Sequence, residues 1–340
     1  MSNAASIIIE LSGQVKYKQK GWSGYHPAGF GTKLYLGDLI QVPRGATALI
    51  QCAVSGSRWR VPEGVSGLPN GCGLVNDNHD DGGRPGSDDN YLMIPFVISP
   101  RSTLLVNDKP TLRWNAVSNT SRYIVSVRDR RVGKGEIWTT EVSETEFVYP
   151  GTPPLEPGVN YLVIVTTDNG RSSKEDKEVG LGFRLIDKEE SQRVLSNVEQ
   201  IKQELSGEAA ELAVVHLYMT LDLKAEAIEM LEAIAEKGSE TTAVYRLLGD
   251  LYWQVKLASL SENPYKKAVK LAEATQDIEV KAVAQARLAE LYAARGLWSE
   301  AISWGTAAKL DYETLGDTQK VSELMQNLER WNQRQESTGT

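Results

Sequence analysis

The chain has 340 residues, 41 % hydrophobic and 24 % charged, with a formal net charge of −8. This is a globular composition, long enough for two or three domains. The acidic balance disfavours a phosphate backbone, so no nucleic acid is expected as partner, and no run of about 18 apolar residues offers a transmembrane segment.

At the N-terminus, Ser2-Asn3-Ala4 reads as the remnant of an expression tag, so a native leader is expected to have been removed. Residues 5–95 then read as β structure. "IIIEL", "GQVKYK", "TKLYLGDLIQV", "ATALIQCAV" and "RWRV" are short, rich in branched or aromatic residues, and punctuated by Gly and Pro. Alternation puts Leu34, Leu36, Leu39, Ala48, Ile50 and Cys52 inward, and Gly37-Asp38 marks a turn. Cys52 and Cys72 are the only two cysteines. They are expected to form a structural disulfide of an oxidising compartment, worth about 3 kcal/mol on chain-entropy grounds, the alternative being two buried free thiols.

Gly13 and Val15, then Leu36 to Ile40, then Gly45 and Ala48 to Ile50, resemble the FecR-like β domain over about 60 residues. The resemblance implies a periplasmic, extracellular or cell-wall-associated setting and brings no catalytic residues. The segment Asn76–Asn90 is Gly/Asp-rich and nearly free of apolar residues, an exposed loop or linker. Within it Asp77, His79, Asp81, Gly82 and Asp88 fall at positions 1, 3, 5, 6 and 12 of an EF-hand-like calcium loop. With His at position 3, Asp at position 12 and no flanking helices, it reads as a solvated acidic loop, and no metal or cofactor is expected.

Residues 97–186 form a second β zone of six or seven strands, with Tyr123, Val125 and Val127 on one face and Tyr161, Val163 and Val165 on another, which indicates a β-sandwich. "LEPGVNYLVIVTTDNG" resembles the late strands of a fibronectin type III or immunoglobulin-like domain, which implies that Trp114 is the buried early-strand aromatic.

From residue 188 to 335 apolar residues recur at i, i+3, i+4 and i+7. The predicted helices are 188–205, 208–221, 224–237, 241–256, 264–276, 279–294, 298–310 and 317–334, broken at Gly207, Gly238, Asn263-Pro264, Gly296 and Gly316. The stretch "LASLSEN" reads as a long loop before Pro264. Tyr218, Tyr252 and Tyr292 lie 34 and 40 residues apart, and Ala227, Ala268 and Ala301 lie 41 and 33 apart. Leu248-Gly249-Asp250-Leu251-Tyr252 and Leu288-Ala289-Glu290-Leu291-Tyr292 put a small residue three before a tyrosine, and Val214 to Tyr218 is a degenerate copy. This register resembles the tetratricopeptide repeat. The small residue lets a partner helix approach, and the tyrosine is expected to fill the space beside it.

The predicted fold is therefore multidomain: an all-β N-terminal half (5–95 and 97–186) and an all-α C-terminal repeat array (188–335). In tetratricopeptide proteins the first helices of the pairs line a concave groove. The matching positions are Ala209, Leu212, His216 and Met219, then Ala243, Arg246, Asp250 and Trp253, then Val283, Ala286, Glu290 and Ala293. His216, Met219, Arg246, Asp250, Trp253 and Glu290 are the candidate partner-binding residues, with Trp253 as the anchor. Asp250 and Glu290 stand where the family's carboxylate clamp has Asn, so capture of a peptide C-terminus is not expected. No H-E-x-x-H, G-x-S-x-G, Walker A or G-x-G-x-x-G motif is present, and no catalytic residues are assigned. The expected function is a non-enzymatic protein-interaction scaffold or adaptor of the cell envelope that takes another protein or peptide segment. The alternative is a glycan- or calcium-binding module of the β domains, which exposed Trp22, Tyr25 and Trp59 would support.

Overall fold

The computed structural model describes residues 5–35, 38–52, 58–68, 72, 93–176, 178 and 180–338. Strands fill the N-terminal half, and eight helices follow among the described residues. They are α1 (Lys188–Glu204), α2 (Gly207–Thr220), α3 (Lys224–Glu236), α4 (Thr242–Gln254), α5 (Ala258–Thr275), α6 (Ile278–Ala294), α7 (Trp298–Leu315) and α8 (Thr318–Thr338). By its internal contacts the chain divides into two compact units, residues 1–81, 239–250 and 262–340 in one, and 82–238 and 251–261 in the other.

The first unit begins with β1 (Ser6–Ser12), β2 (Lys16–Lys18), β3 (His26–Pro27), β4 (Lys33–Leu34), β5 (Leu39–Val42), β6 (Thr47–Gln51), β7 (Arg58–Val61) and β8 (Gly64–Gly67). They form two antiparallel four-stranded sheets, ordered β4-β1-β6-β7 and β3-β2-β5-β8. Ile8, Leu34, Ile40, Val42, Ala48 and Ile50 are buried in one core. Leu34, Ala48, Ile50 and Cys52 point inward as alternation requires, while Leu36 and Gly37 lie outside the described residues. Leu39 differs: it is half-buried, and Ile40 and Val42 take the inward positions. The buried Asp38 carboxylate accepts the backbone N–H groups of Lys20 and Tyr35, both at 2.9 Å, which fixes the register in which β5 starts. Cys52 and Cys72 are joined by a disulfide, with 5.1 Å between their Cα atoms.

The sheet edge at β8 is closed by the start of α8. The N–H groups of Val65 and Gly67 donate to Thr318 Oγ1 (3.3 Å) and Asp317 Oδ2 (3.1 Å), and Ser66 Oγ donates to Gln319 Oε1 (2.9 Å). Asp317 Oδ1 also accepts from Lys320 N, capping the helix. One side chain thus satisfies both an edge strand and a helix terminus, groups that otherwise need a partner or water. The last helix buries Leu324 and Trp331 and exposes Gln326, Glu329, Arg330 and Asn332, the polar outer face that the end of a stacked array requires.

Small residues do admit close neighbours in this unit. A Cβ on Gly249 would lie 2.6 Å from the Tyr265 ring, and one on Gly305 2.8 Å from the Trp331 ring. The aromatic beside Gly249 is Tyr265 of the following helix, not Tyr252 of its own. Helix propensity alone favours Ala over Gly by about 1 kcal/mol. Because the Tyr265 ring is fully buried and cannot retreat, Gly249→Ala is expected to lose about 1–2 kcal/mol net in urea unfolding. A gain in stability would show that the ring can move.

The second unit opens with β9 (Val97–Ser99), β10 (Thr103–Leu105), β11 (Thr111–Trp114), β12 (Tyr123–Asp129), β13 (Gly135–Val142), β14 (Glu146–Val148), β15 (Asn160–Thr167) and β16 (Phe183–Leu185). A five-stranded sheet, β10-β16-β15-β12-β13, and a three-stranded sheet, β14-β11-β9, share one core. Trp114, Tyr123, Val125, Val127, Tyr161, Val163 and Val165 are all buried in it. Tyr161 Oη accepts Glu156 N–H at 2.9 Å, five residues upstream, so the buried phenol is satisfied by its own turn. Helices α1 to α3 pack in succession in this unit, and α3 is fastened to the strands by Val106 N–H donating to Glu226 Oε1 (2.7 Å) and by the Arg113–Glu232 ion pair (2.8 Å).

One helix boundary departs from expectation. Asn263-Pro264 is not a break: α5 starts at Ala258 and Pro264 lies inside it. "LASLSEN" therefore lengthens a helix instead of forming a loop. Leu257, Ala258, Ser261 and Tyr265 are buried at helical spacing, and that burial outweighs the backbone bond Pro264 cannot donate. The chain reverses instead at Lys256, whose φ is +62°.

Candidate functional site

The six candidate partner-binding residues divide between the units. His216, Met219 and Trp253 belong to one, and Arg246, Asp250 and Glu290 to the other.

Arg246, Asp250 and Glu290 are brought together in a single chain of charges. Arg246 and Asp250 stand four apart on α4, and Arg246 Nη1 donates to Asp250 Oδ2 at 2.6 Å. Arg287 and Glu290 stand three apart on α6 and pair at 2.8 Å. Arg287 Nε lies 4.0 Å from Asp250 Oδ1, which links the two pairs. Tyr265 completes the arrangement, its hydroxyl donating to Asp250 Oδ1 at 2.9 Å. Burial, then the Asp250 charge, pushes the Tyr265 phenol well above its ordinary range, so it stays a donor. Asp250 is only 2 % exposed and faces this network, so its carboxylate is directed into helix packing and not onto an open groove wall.

A second network involves the repeat tyrosines. Tyr292 Oη, Lys266 Nζ and Arg295 Nη1 all donate to the Glu262 carboxylate, at 2.7, 2.5 and 2.5 Å. Burial pushes Glu262 up, but the hydrogen bonds from Lys266, Arg295 and Tyr292 together outweigh it and hold the carboxyl at about 2. In the other unit Tyr252 Oη donates likewise to Glu232. Tyr252 and Tyr292 thus tie helices together through their hydroxyls, a role the spacing alone does not disclose.

His216, Met219 and Trp253 are each half-buried, as are Leu212, Ala243, Val283, Ala286 and Ala293, while Ala209 is exposed. Trp22, Tyr25 and Trp59 are half-buried, not exposed. Trp22 packs against Tyr17 and His26, with ring centroids 5.5 and 4.4 Å away, and Trp59 packs on the β core. The EF-hand-like residues Asp77, His79, Asp81, Gly82 and Asp88 lie outside the described residues. Among the described residues, no group of three or more His, Cys, Asp or Glu is placed to hold a metal ion, and no helix is long and apolar enough to cross a membrane.

No family model and no curated protein matches the chain. Among solved structures it is similar to a crystal structure of MamA (16 % identity, 45 % of this chain and 94 % of that one, TM-score 0.30). It is also similar to MamA MSR-1 C2 (20 %, 44 % and 91 %, TM-score 0.29) and to BtubC (BKLC) from P. vanneervenii (15 %, 44 % and 74 %, TM-score 0.28). These likenesses cover less than half of this chain, and similarity at this level supports no inference about function.

Proposed function

We propose that the chain is a non-enzymatic scaffold or adaptor of the cell envelope, with a tetratricopeptide-like array that captures a segment of another protein. The observation that carries this reading is the run of eight helices whose first-helix side chains at His216, Met219 and Trp253 stay half-buried instead of sealed into a core. Trp, amphipathic and large, and Met, flexible and polarisable, are residue types that interaction surfaces favour. In this reading Asp250, with Arg246, acts by holding α4 and α5 in place, and direct contact falls to the trio.

The N-terminal strands are read as FecR-like, from the sequence match at Gly13, Val15, Leu36 to Ile40, Gly45 and Ala48 to Ile50, and the second β zone as an immunoglobulin or fibronectin III-like sandwich. The three-on-five strand arrangement over a buried Trp114 supports the latter. The disulfide supports a periplasmic or extracellular setting, since such bonds persist in oxidising compartments.

The test is a peptide-display selection on the whole chain, followed by affinities of the selected peptide for wild type and Trp253→Ala. A loss of about 1–3 kcal/mol at an unchanged melting temperature is expected for an anchor. Unchanged affinity, or a variant that unfolds, would assign Trp253 to packing and remove the main support for the reading.

A further inference from the structure

Within the first unit, the outer face of the β4-β1-β6-β7 sheet carries side chains that the core does not use. Ile8, Ala48, Ile50 and Val61 point inward, so alternation turns Ile7, Leu49, Gln51, Arg58 and Arg60 outward. The register aligns them in rows across the strands. Ile7 pairs with Lys33 on one side and with Gln51 on the other, and Gln51 pairs with Arg58. In the next row Leu49 lies between Glu10 and Arg60. Lys33 and Arg58 therefore stand on opposite margins of the sheet, three strand spacings or about 14 Å apart. Lys33, Arg58 and Arg60 are exposed, and none of them makes an ion pair or side-chain hydrogen bond with a described residue.

On the Lys33 margin the turn Gly29–Thr32 presents Phe30, which is 80 % exposed. The turn is fastened at three points. Thr32 N–H donates to the Gly29 carbonyl (3.1 Å), Gly29 N–H to Thr32 Oγ1 (2.9 Å) and Gly31 N–H to the Ile8 carbonyl of β1 (2.8 Å). Gly31 takes the left-handed φ of +79° that the third place of such a turn requires. One exposed apolar side chain carries little by itself; this one sits beside a basic field. Residues 1–72 hold seven lysines and arginines against three acids, a local +4 in a chain of −8. Two of those acids are engaged, Asp38 by the N–H groups of Lys20 and Tyr35 and Glu63 by Gly45 N–H at 2.9 Å. Glu10 is the one acid on the outer face among the described residues. Spread cations that the protein leaves unneutralised, with an aromatic held out at their margin, match a surface that is anionic and has an apolar layer beneath its charge. Phospholipid head groups diffuse to wherever the cations fall, and Phe enters the acyl boundary. A soluble polyanion would satisfy the cations and leave Phe30 in water.

We propose that this face docks on an anionic phospholipid surface, with Phe30 entering the boundary between head groups and acyl chains and Lys33, Arg58 and Arg60 resting on the phosphates. The site is independent of the peptide-capture reading, because it uses none of His216, Met219 or Trp253.

The experiment is flotation of the whole chain with vesicles of phosphatidylcholine alone and of phosphatidylcholine mixed with phosphatidylglycerol, at low and high salt, beside titration with inorganic polyphosphate. The chain is expected to float with the phosphatidylglycerol vesicles only, and less of it at high salt. Phe30→Ala should weaken that partition about 10-fold, and Phe30→Leu should keep most of it. Arg58→Gln/Arg60→Gln should weaken it about 30-fold. Lys16→Gln/Arg44→Gln removes as much charge from the same strand region and should cost clearly less. All five side chains are exposed, so the melting temperatures should hold. The proposal is overturned if phosphatidylglycerol vesicles do not bind, if phosphatidylcholine vesicles bind equally well, or if Phe30→Ala or Arg58→Gln/Arg60→Gln binds as wild type does. Equal losses from the two double variants, or binding of polyphosphate without vesicles, would overturn it as well, leaving a general attraction for anions.

Discussion

Replacing Arg101 with Ala is expected to cost about 3–5 kcal/mol, the range seen when one partner of a buried ion pair is removed. Arg101 is 3 % exposed. Its Nε donates to the Val255 carbonyl at 2.7 Å, its Nη2 to the Lys256 carbonyl at 3.3 Å, and its Nη1 to the Val97 carbonyl and to Asp176 Oδ2 at 3.3 and 2.8 Å. Two of these acceptors form the reversal that ends α4, where Lys256 adopts a left-handed φ of +62° and the last helical carbonyls lack intrahelical partners. One planar guanidinium therefore satisfies the turn, a strand and a carboxylate at once. Ala would leave all four acceptors short, and the Asp176 side chain, 12 % exposed, would hold an uncompensated charge. Arg101→Lys keeps the charge but not the fork of donors, so it should recover less than half of the loss. Urea unfolding of both variants checks this. If Lys restores full stability, the charge alone matters and the carbonyl contacts contribute little.

The parts of this fold that were legible in the sequence are those set by local period. Helical periodicity placed the eight helices of the described residues, and alternation placed β6, β12 and β15 with the right residues inward. What stayed hidden depends on groups far apart in the chain. β8, Gly64–Gly67, carries no β-forming pattern, and the side chains that complete it sit about 250 residues away at Asp317 to Gln319. Pro264 reads as a stop because the residue by itself is one, whereas the buried face of α5 keeps the helix going. The candidate site was legible as positions, not as orientations. Spacing put Asp250 on a groove wall. The gap at Gly249, which lets the Tyr265 ring approach, instead leaves a hydroxyl in reach of that carboxylate and turns it inward.

The largest pH effect expected comes from Glu226 on α3. Its Oε1 accepts Val106 N–H at 2.7 Å, while its Oε2 is cut off from solvent without a hydrogen-bond partner. Burial is the main force on this carboxyl, opposed by the backbone donors of Val106, Glu226 and Asn107 and reinforced by the Glu229 charge, and it is pushed up to about 7. Tyr218 of α2 faces the same pair of carboxylates and is itself pushed up by burial and by them. The sign follows from comparing folded and unfolded chains. A carboxyl that titrates higher when folded contributes its full stability below the unfolded value of about 4.5, and loses it as pH rises through about 7. A tenfold difference in proton affinity between folded and unfolded chains corresponds to about 1.4 kcal/mol, so the loss between pH 4.5 and 8 has a ceiling of roughly 3 kcal/mol. Glu262, held at about 2, titrates outside this window and does not mask the effect. Glu226→Gln keeps the acceptor for Val106 and removes the ionisation. It should therefore flatten urea midpoints between pH 5 and 8 and leave the variant more stable than wild type at pH 8. A variant that keeps the wild-type slope across that window would show that Glu226 is hydrated in the folded protein and that another group carries the pH dependence.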